Sequence, residues 1–153
     1  MLKTRIIPTL LTKGRELVKG ERFDNWRRVG NTLSACRIHN MRGVDELCLL
    51  EVGGGMIDLE TVKLLAGECF MPLSVGGGVR TIEQFGALIK NGADKVVLGR
   101  VAFEAPQLVK DAARKFGAQA VVVSIAYGPG DRVSPLELAE CAARVGAGEI
   151  LLQ

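Results

Sequence analysis

Three consecutive glycines, Gly76-Gly77-Gly78, follow a short apolar run, Pro72 to Val75, and precede a helical pattern that begins near Thr81. Glycine lets backbone N–H groups approach an anion with no side chain in the way. A helix starting near Thr81 aims its positive end at the same point. Gly99 and Arg100 stand at the next predicted strand end, and the Arg100 guanidinium offers a fork that suits a phosphate. The competing reading is a tight turn that needs positive φ and holds nothing. No GKS or GKT follows the glycines and GxGxxG is absent, so neither nucleotide-loop fingerprint applies.

Groups fit for acid–base work are scarcer. Glu51 is the one carboxylate at a predicted strand end, either a catalytic group or an acid hydrogen-bonded in the mouth. Asp131, in the loop GPGDR, reads as a turn residue. Lys19, in an early loop, is spaced either to reach an anion or to sit solvated at the surface. Ser74 and Ser124 have no histidine in pattern, which argues against a Ser–His nucleophile. His39, the only histidine, falls within a helical pattern far from the strand ends, and Tyr127 follows a strand end whose mouth it covers. The four cysteines (Cys36, Cys48, Cys69, Cys141) form no CxxC pair, so a zinc site of ordinary spacing is absent. They read as reduced, mostly buried thiols of a cytoplasmic protein, and no metal or cofactor is expected.

The elements that must position these residues repeat one pattern: a glycine just past a helical stretch, a polar step, then a run of β-formers. Gly43 leads into LCLLEV, Gly92 into VVLG, Gly117 into VVVSIA and Gly146 into ILLQ. The runs are largely apolar, as in parallel strands covered on both faces, and the glycines stand where left-handed helix caps are wanted. With Ile6–Leu11 and Pro72–Val75 this predicts about six strands. About five amphipathic helices alternate with them: 31–41, 59–67, 82–91, 104–116 and 135–145, with Thr81 and Ser134 as N-caps. Glu16–Arg22 reads as a short strand or hairpin in the first connecting loop. The fold class is α/β with a parallel sheet, of the (β/α)8 TIM-barrel type but incomplete, in a single domain over residues 1–153. Such barrels place ligands at the carboxyl ends of the strands, where the glycine run lies. The opposite ends carry Arg5, Glu46, Lys95 and Glu149, one at the start of each of four strands; alternating charges so placed converge into a ring, whose competing reading is plain stability of that face.

Composition narrows the partners. A net charge of +3 with no dense Lys/Arg run argues against nucleic acid. No apolar run reaches the ~20 residues a membrane helix needs, and the opening MLKTRIIPTLL does not read as a signal peptide.

The stretches RIIPTLL, LVKGERF, VDELCLLEV, MPLSVGGGVRT, NGADKVVLG, AVVVSI and GAGEILL, in this order, resemble the cyclase subunit of imidazole glycerol phosphate synthase, a (β/α)8 barrel of histidine biosynthesis. They cover about the first two thirds of that barrel. The resemblance implies an ammonia-dependent lyase/cyclase reaction with a glutaminase partner. It implies Lys19, Gly77 and Gly78 as substrate contacts, Gly99 and Arg100 where the family places phosphate-binding Asn and Thr, and Arg5, Glu46, Lys95 and Glu149 as the charged gate under an ammonia tunnel. Where the family has its acid/base aspartates this chain has Leu11 and Ala126, and Glu51 replaces a third aspartate. Loss of an acid or a base costs ~10²–10⁴ in rate. The expectation is therefore a homologue that holds a phosphorylated ligand without converting it. IPTLL, VGNTLSACRIHN and ECFMPL also resemble cyclase-like, ammonia-accepting subunits of sugar amidotransferases in surface-polysaccharide synthesis. A further alternative is a non-catalytic or truncated module that forms homo-oligomers through open sheet edges.

Overall fold

The computed structural model describes residues 4–21, 24–128 and 133–153. Asp131, and Arg22 at the end of the predicted early hairpin, lie outside the described residues. Six strands run parallel: β1 (Thr9–Lys13), β4 (Leu47–Glu51), β5 (Leu73–Gly76), β6 (Lys95–Leu98), β7 (Val121–Ile125) and β8 (Glu149–Leu152). An antiparallel hairpin, β2 (Glu16–Glu21) and β3 (Asp24–Asn31), extends the sheet beyond β1, in the order β3-β2-β1-β4-β5-β6-β7-β8. Helices α1 (Thr32–Arg42), α2 (Leu59–Glu68), α3 (Ile82–Lys90), α4 (Val101–Glu104), α5 (Pro106–Phe116) and α6 (Pro135–Val145) connect the parallel strands. This is the expected βα barrel type, curled but open.

The inner parallel strands, β4 to β7, are covered on both faces, which explains their largely apolar sequences, whereas β1 and β8 are partly exposed. In β4, Leu47 and Leu49 pack outward against the helices with Val62, Leu65, Phe85 and Leu88. Cys48 and Leu50 point the other way, into a second cluster with Val97 and Val122 that Leu11 and Leu151 join. The period-two alternation thus builds an outer helix-facing core and an inner barrel core from the same strands.

Several boundaries differ from expectation. The first strand starts at Thr9 rather than Ile6 and runs to Lys13, because its ladder to β4 pairs Thr9–Thr12 with Cys48–Glu51. The expected helix over 104–116 is α5, which starts at Pro106, while Glu104 ends a separate short helix, α4, because Pro106 suits the first residue of a new helix and has no amide for the old one. The predicted early strand has a partner, β3, that its polar sequence conceals. Gly43 and Gly146 are left-handed caps, whereas Gly117 leaves its helix with an extended ψ of 145°.

Helix α3 begins with a complete capping box. Thr81 Oγ1 accepts from the Gln84 amide (3.3 Å), and Gln84 Oε1 accepts from the Thr81 amide (3.2 Å) and the Arg80 amide (2.7 Å). Removing a cap of this kind costs ~1 kcal/mol. Thr81→Ala is therefore expected to lower the melting temperature by ~2–4 °C in a calorimetric scan.

Candidate functional site

The loops after β4, β5 and β6 surround a cleft of about 470 Å³ at the carboxyl ends of the strands. Gly77, Gly78, Gly99, Arg100 and Glu51 line it, as do Arg80, Glu104 and a second glycine pair, Gly54-Gly55. Gly76 is placed differently: it lies in the barrel wall, where an added Cβ would come within 2.7 Å of Val97 Cβ and 2.9 Å of Leu50 Cδ2. Lys19 is exposed on the edge hairpin, in register with Arg27, and is not part of the cleft lining.

The two glycine runs meet each other. Gly77 has φ +118°, and a Cβ there would lie 2.7 Å from the carbonyl oxygen of Glu51. Gly78 has φ +65°, and its Cβ would strike the carbonyl of Gly55 and sit 2.6 Å from the Met56 amide nitrogen. Backbone conformation and close loop packing thus account for both glycines before any ligand is considered. Gly99 differs: its φ is not in the left-handed region, and an added Cβ meets nothing within 4 Å. The capping box already occupies the Arg80, Thr81 and Gln84 amides, so the start of α3 has few N–H groups left for an anion. Positive charge in the cleft comes from side chains instead: Arg80 and Arg100 share its lining with the carboxylates of Glu51 and Glu104.

Glu51 is tied into the loops. Its Oε2 accepts from the Gly14 amide (2.9 Å) and Thr12 Oγ1 (3.5 Å), and its Oε1 accepts from the Gly53 amide (2.6 Å). It fastens the β1–β2 turn to the loop after β4. Leu11, on β1, packs against the inner apolar cluster with Leu151 and lines an apolar recess between β1, β4 and β8. Ala126 is exposed just past β7. Ser124 Oγ accepts from Gln153 Nε2 (2.8 Å), so the serine is engaged at the cleft wall with no histidine beside it.

The other end of the barrel is charged. Arg5 donates to Glu46 Oε2 (3.0 Å) and Glu149 Oε1 (3.1 Å), and Lys95 Nζ donates to the same two atoms (2.8 Å each). The four side chains form a closed ring in which each cation bridges both acids. Arg5 lies ahead of β1 and Glu149 opens β8, so the ring spans the two flanks of the curled parallel sheet. Glu46 is 2% exposed and also accepts a short hydrogen bond from Ser74 Oγ. Burial works against the charged forms, yet the hydrogen bonds win: Lys95 is held above its ordinary value and the Glu149 carboxyl below its own.

Arg80, Glu104 and the Gly53–Gly55 run went unread in the sequence. The signal was present: VGGG occurs twice, at residues 52–55 and 75–78, each time at the end of a parallel strand, and the second copy is followed two residues later by Arg80. Among the described residues no three His, Cys, Asp or Glu side chains are grouped to hold a metal ion, and no helix is long and apolar enough to cross a membrane.

A family model described as "Histidine biosynthesis protein" matches residues 5–153. The chain is 42% identical to a Campylobacter jejuni protein named "Putative imidazole glycerol phosphate synthase subunit hisF2", over 99% of this chain and 67% of the relative. It is 43% identical to the imidazole glycerol phosphate synthase subunit HisF of Hyphomonas neptunium, over 99% of this chain and 68% of the relative. The chain therefore spans about two thirds of the length of these relatives.

Proposed function

Starting from the fact that the chain belongs to the cyclase-subunit family of imidazole glycerol phosphate synthase, we propose that it binds a phosphorylated small molecule in the cleft at the strand ends and does not by itself run the family's cyclisation. The observation that carries this reading is a glycine-walled cleft lined by Arg80 and Arg100; it is paired with an apolar residue, Leu11, where the resemblance puts the family's first acid/base aspartate. Arg80 and Arg100 supply charge to a phosphate, and Gly99 leaves it room to lie against the backbone. A cyclisation of this kind needs an acid and a base on opposite sides of the substrate. Glu51 is the carboxylate nearest to filling one of those roles, and its bonds to Gly14 and Gly53 favour a positioning role instead. A phosphorylated ribose derivative is the ligand class the family membership favours.

The opposite face fits a glutaminase partner. The ring of Arg5, Glu46, Lys95 and Glu149 stands where the resemblance puts an ammonia gate, and its closed hydrogen bonding supports that role. A second reading, an ammonia-accepting subunit of a sugar amidotransferase, rests on the Leu10-Leu11 pair in β1, which resembles that branch.

Titration calorimetry with ribose 5-phosphate tests the first reading. Arg100→Ala is expected to weaken binding about tenfold, the loss of one charge-assisted contact worth ~1.5–3 kcal/mol in part. Ammonia-dependent turnover of the family substrate by this chain at a rate of the usual enzymatic order would overturn the non-catalytic half.

A further inference from the structure

Beside the cleft lies a second cavity that neither the charged ring nor the glycine loops use. It is the recess between β1, β4 and β8, about 280 Å³ in volume, walled by Thr9, Leu11, Leu50, Leu151, Leu152 and Gln153. Leucines make up most of that wall, and no charged residue lines it. An apolar cavity of ~150 Å³ is enough to take a benzene ring. The recess has room for an apolar group of that size or somewhat larger.

The recess adjoins the cleft, because Leu50 and Gln153 line both. Leu50 is set in the inner cluster with Cys48, Val97 and Val122. Gln153 is pinned by its amide, which donates to the Ile125 carbonyl (2.9 Å), and by its carbonyl, which accepts from the Tyr127 amide (3.0 Å). Its side chain is drawn toward Ser124 in the cleft wall, where Nε2 donates to Oγ (2.8 Å). The two cavities differ in chemistry: Arg80 and Arg100 line one, leucines the other. Gly99 follows β6 and Leu151 lies on β8, two places on in the sheet. At ~4.8 Å per strand, the cationic and apolar ends stand roughly 10 Å apart along the sheet. Sugar hydroxyls laid against the leucines would lose water and gain no hydrogen-bond partner.

From this juxtaposition we propose that the ligand of the cleft is amphipathic: a phosphate ester whose phosphate lies at Arg80 and Arg100 and whose alkyl or aryl group lies in the recess against Leu11, Leu151 and Leu152. The proposal rests on the reading of the cleft as a phosphate site and narrows the class of molecule that fills it. It also gives Leu11 a task, since an ionised side chain there would be stripped of water by the apolar group.

Titration calorimetry of the full chain with ethyl, butyl, hexyl and octyl phosphate, beside ribose 5-phosphate, tests it. Short chains end before the recess, and each methylene buried beyond that point adds up to about fourfold in affinity. Octyl phosphate is expected to bind at least about tenfold more tightly than ethyl phosphate. Leu11→Asp should remove most of that advantage. Since a charge beside the inner core is prone to unfold the chain, Leu152→Asn, at a position 63% exposed, is the companion and should cut the advantage severalfold. Arg100→Ala should weaken ethyl and octyl phosphate alike. Equal affinity for the two alkyl phosphates, with ribose 5-phosphate bound, would overturn this inference and leave the phosphate cleft standing. No binding of any of these phosphates would remove both. An advantage for octyl phosphate that survives Leu11→Asp and Leu152→Asn would place its chain elsewhere and overturn the inference as well.

Discussion

Glu46→Ala is expected to lower the melting temperature by ~6–12 °C, the largest effect of any single substitution in the ring. Glu46 is the member held deepest: Lys95, Arg5 and Ser74 all donate to its carboxylate, and only 3% of its side chain is exposed. Its removal leaves Lys95, whose side chain is 13% exposed, with Glu149 alone. Breaking a buried ion pair by deleting one partner costs about 3–5 kcal/mol, because the remaining charge is left poorly solvated. The lower end applies here, since Glu149 still pairs with Lys95 and Arg5 is 45% exposed on its side chain. At ~2–4 °C per kcal/mol for a chain of this size, ~3 kcal/mol gives the stated range. The double variant Glu46→Leu/Lys95→Met removes both charges and should recover much of the loss, as replacement of a buried pair by apolar groups is often neutral. Denaturant melts of Glu46→Leu, Lys95→Met and the double variant measure the coupling directly.

The same ring sets a pH window. The Glu149 carboxyl lies below its ordinary value of 4.5, so its contribution is present above that value and is lost as pH falls through the lower, folded value. Lys95 lies above its ordinary 10.5, so its contribution is complete below 10.5 and fades as pH rises through the higher, folded value. Stability from the ring is therefore flat across neutral pH and erodes at both extremes. Glu46→Ala should flatten the alkaline limb, because Lys95 then has one acid fewer holding its proton.

The ring and the parallel strands were legible because both are written as interruptions or continuities in strand patterns. Glu46 and Lys95 stand at the same end of two apolar runs, β4 and β6, that flank β5, and a barrel brings every such end to one face. The hairpin was half legible. Glu16–Glu21 reads as β, but its partner, Asp24–Asn31, is mostly exposed along its length and carries no apolar alternation. Its stability comes from pairing with β2, which no local pattern announces. Of the two readings of Lys19, the exposed hairpin position matches the solvated one: on an edge hairpin the register with Arg27 decides where the ammonium goes. The glycine run was legible as a feature but not in meaning. Tight turn and anion cradle demand the same residue, and the difference lies in what stands opposite each Cα.

That difference makes the last expectation a comparison of two alanines. Gly78→Ala forces a Cβ onto a residue at φ +65° and into the carbonyl of Gly55. A left-handed alanine costs ~1–2 kcal/mol, and the backbone contact adds to it, since a carbonyl cannot rotate away as a side chain does. The expected loss is about 2–3 kcal/mol, or ~4–12 °C in melting temperature, and the cleft wall shifts with the loop after β4. Gly99→Ala meets open space and ordinary φ, so its stability should change by less than ~0.5 kcal/mol. If a phosphate lies against Gly99 as proposed, the new methyl occupies the ligand's place and ribose 5-phosphate affinity falls roughly tenfold or more, ~1.4 kcal/mol. The two variants therefore separate the roles of the glycines: Gly78 by a melt, Gly99 by a titration. An unchanged affinity in Gly99→Ala would remove that residue from the binding surface and leave Arg80 and Arg100 to hold the anion alone.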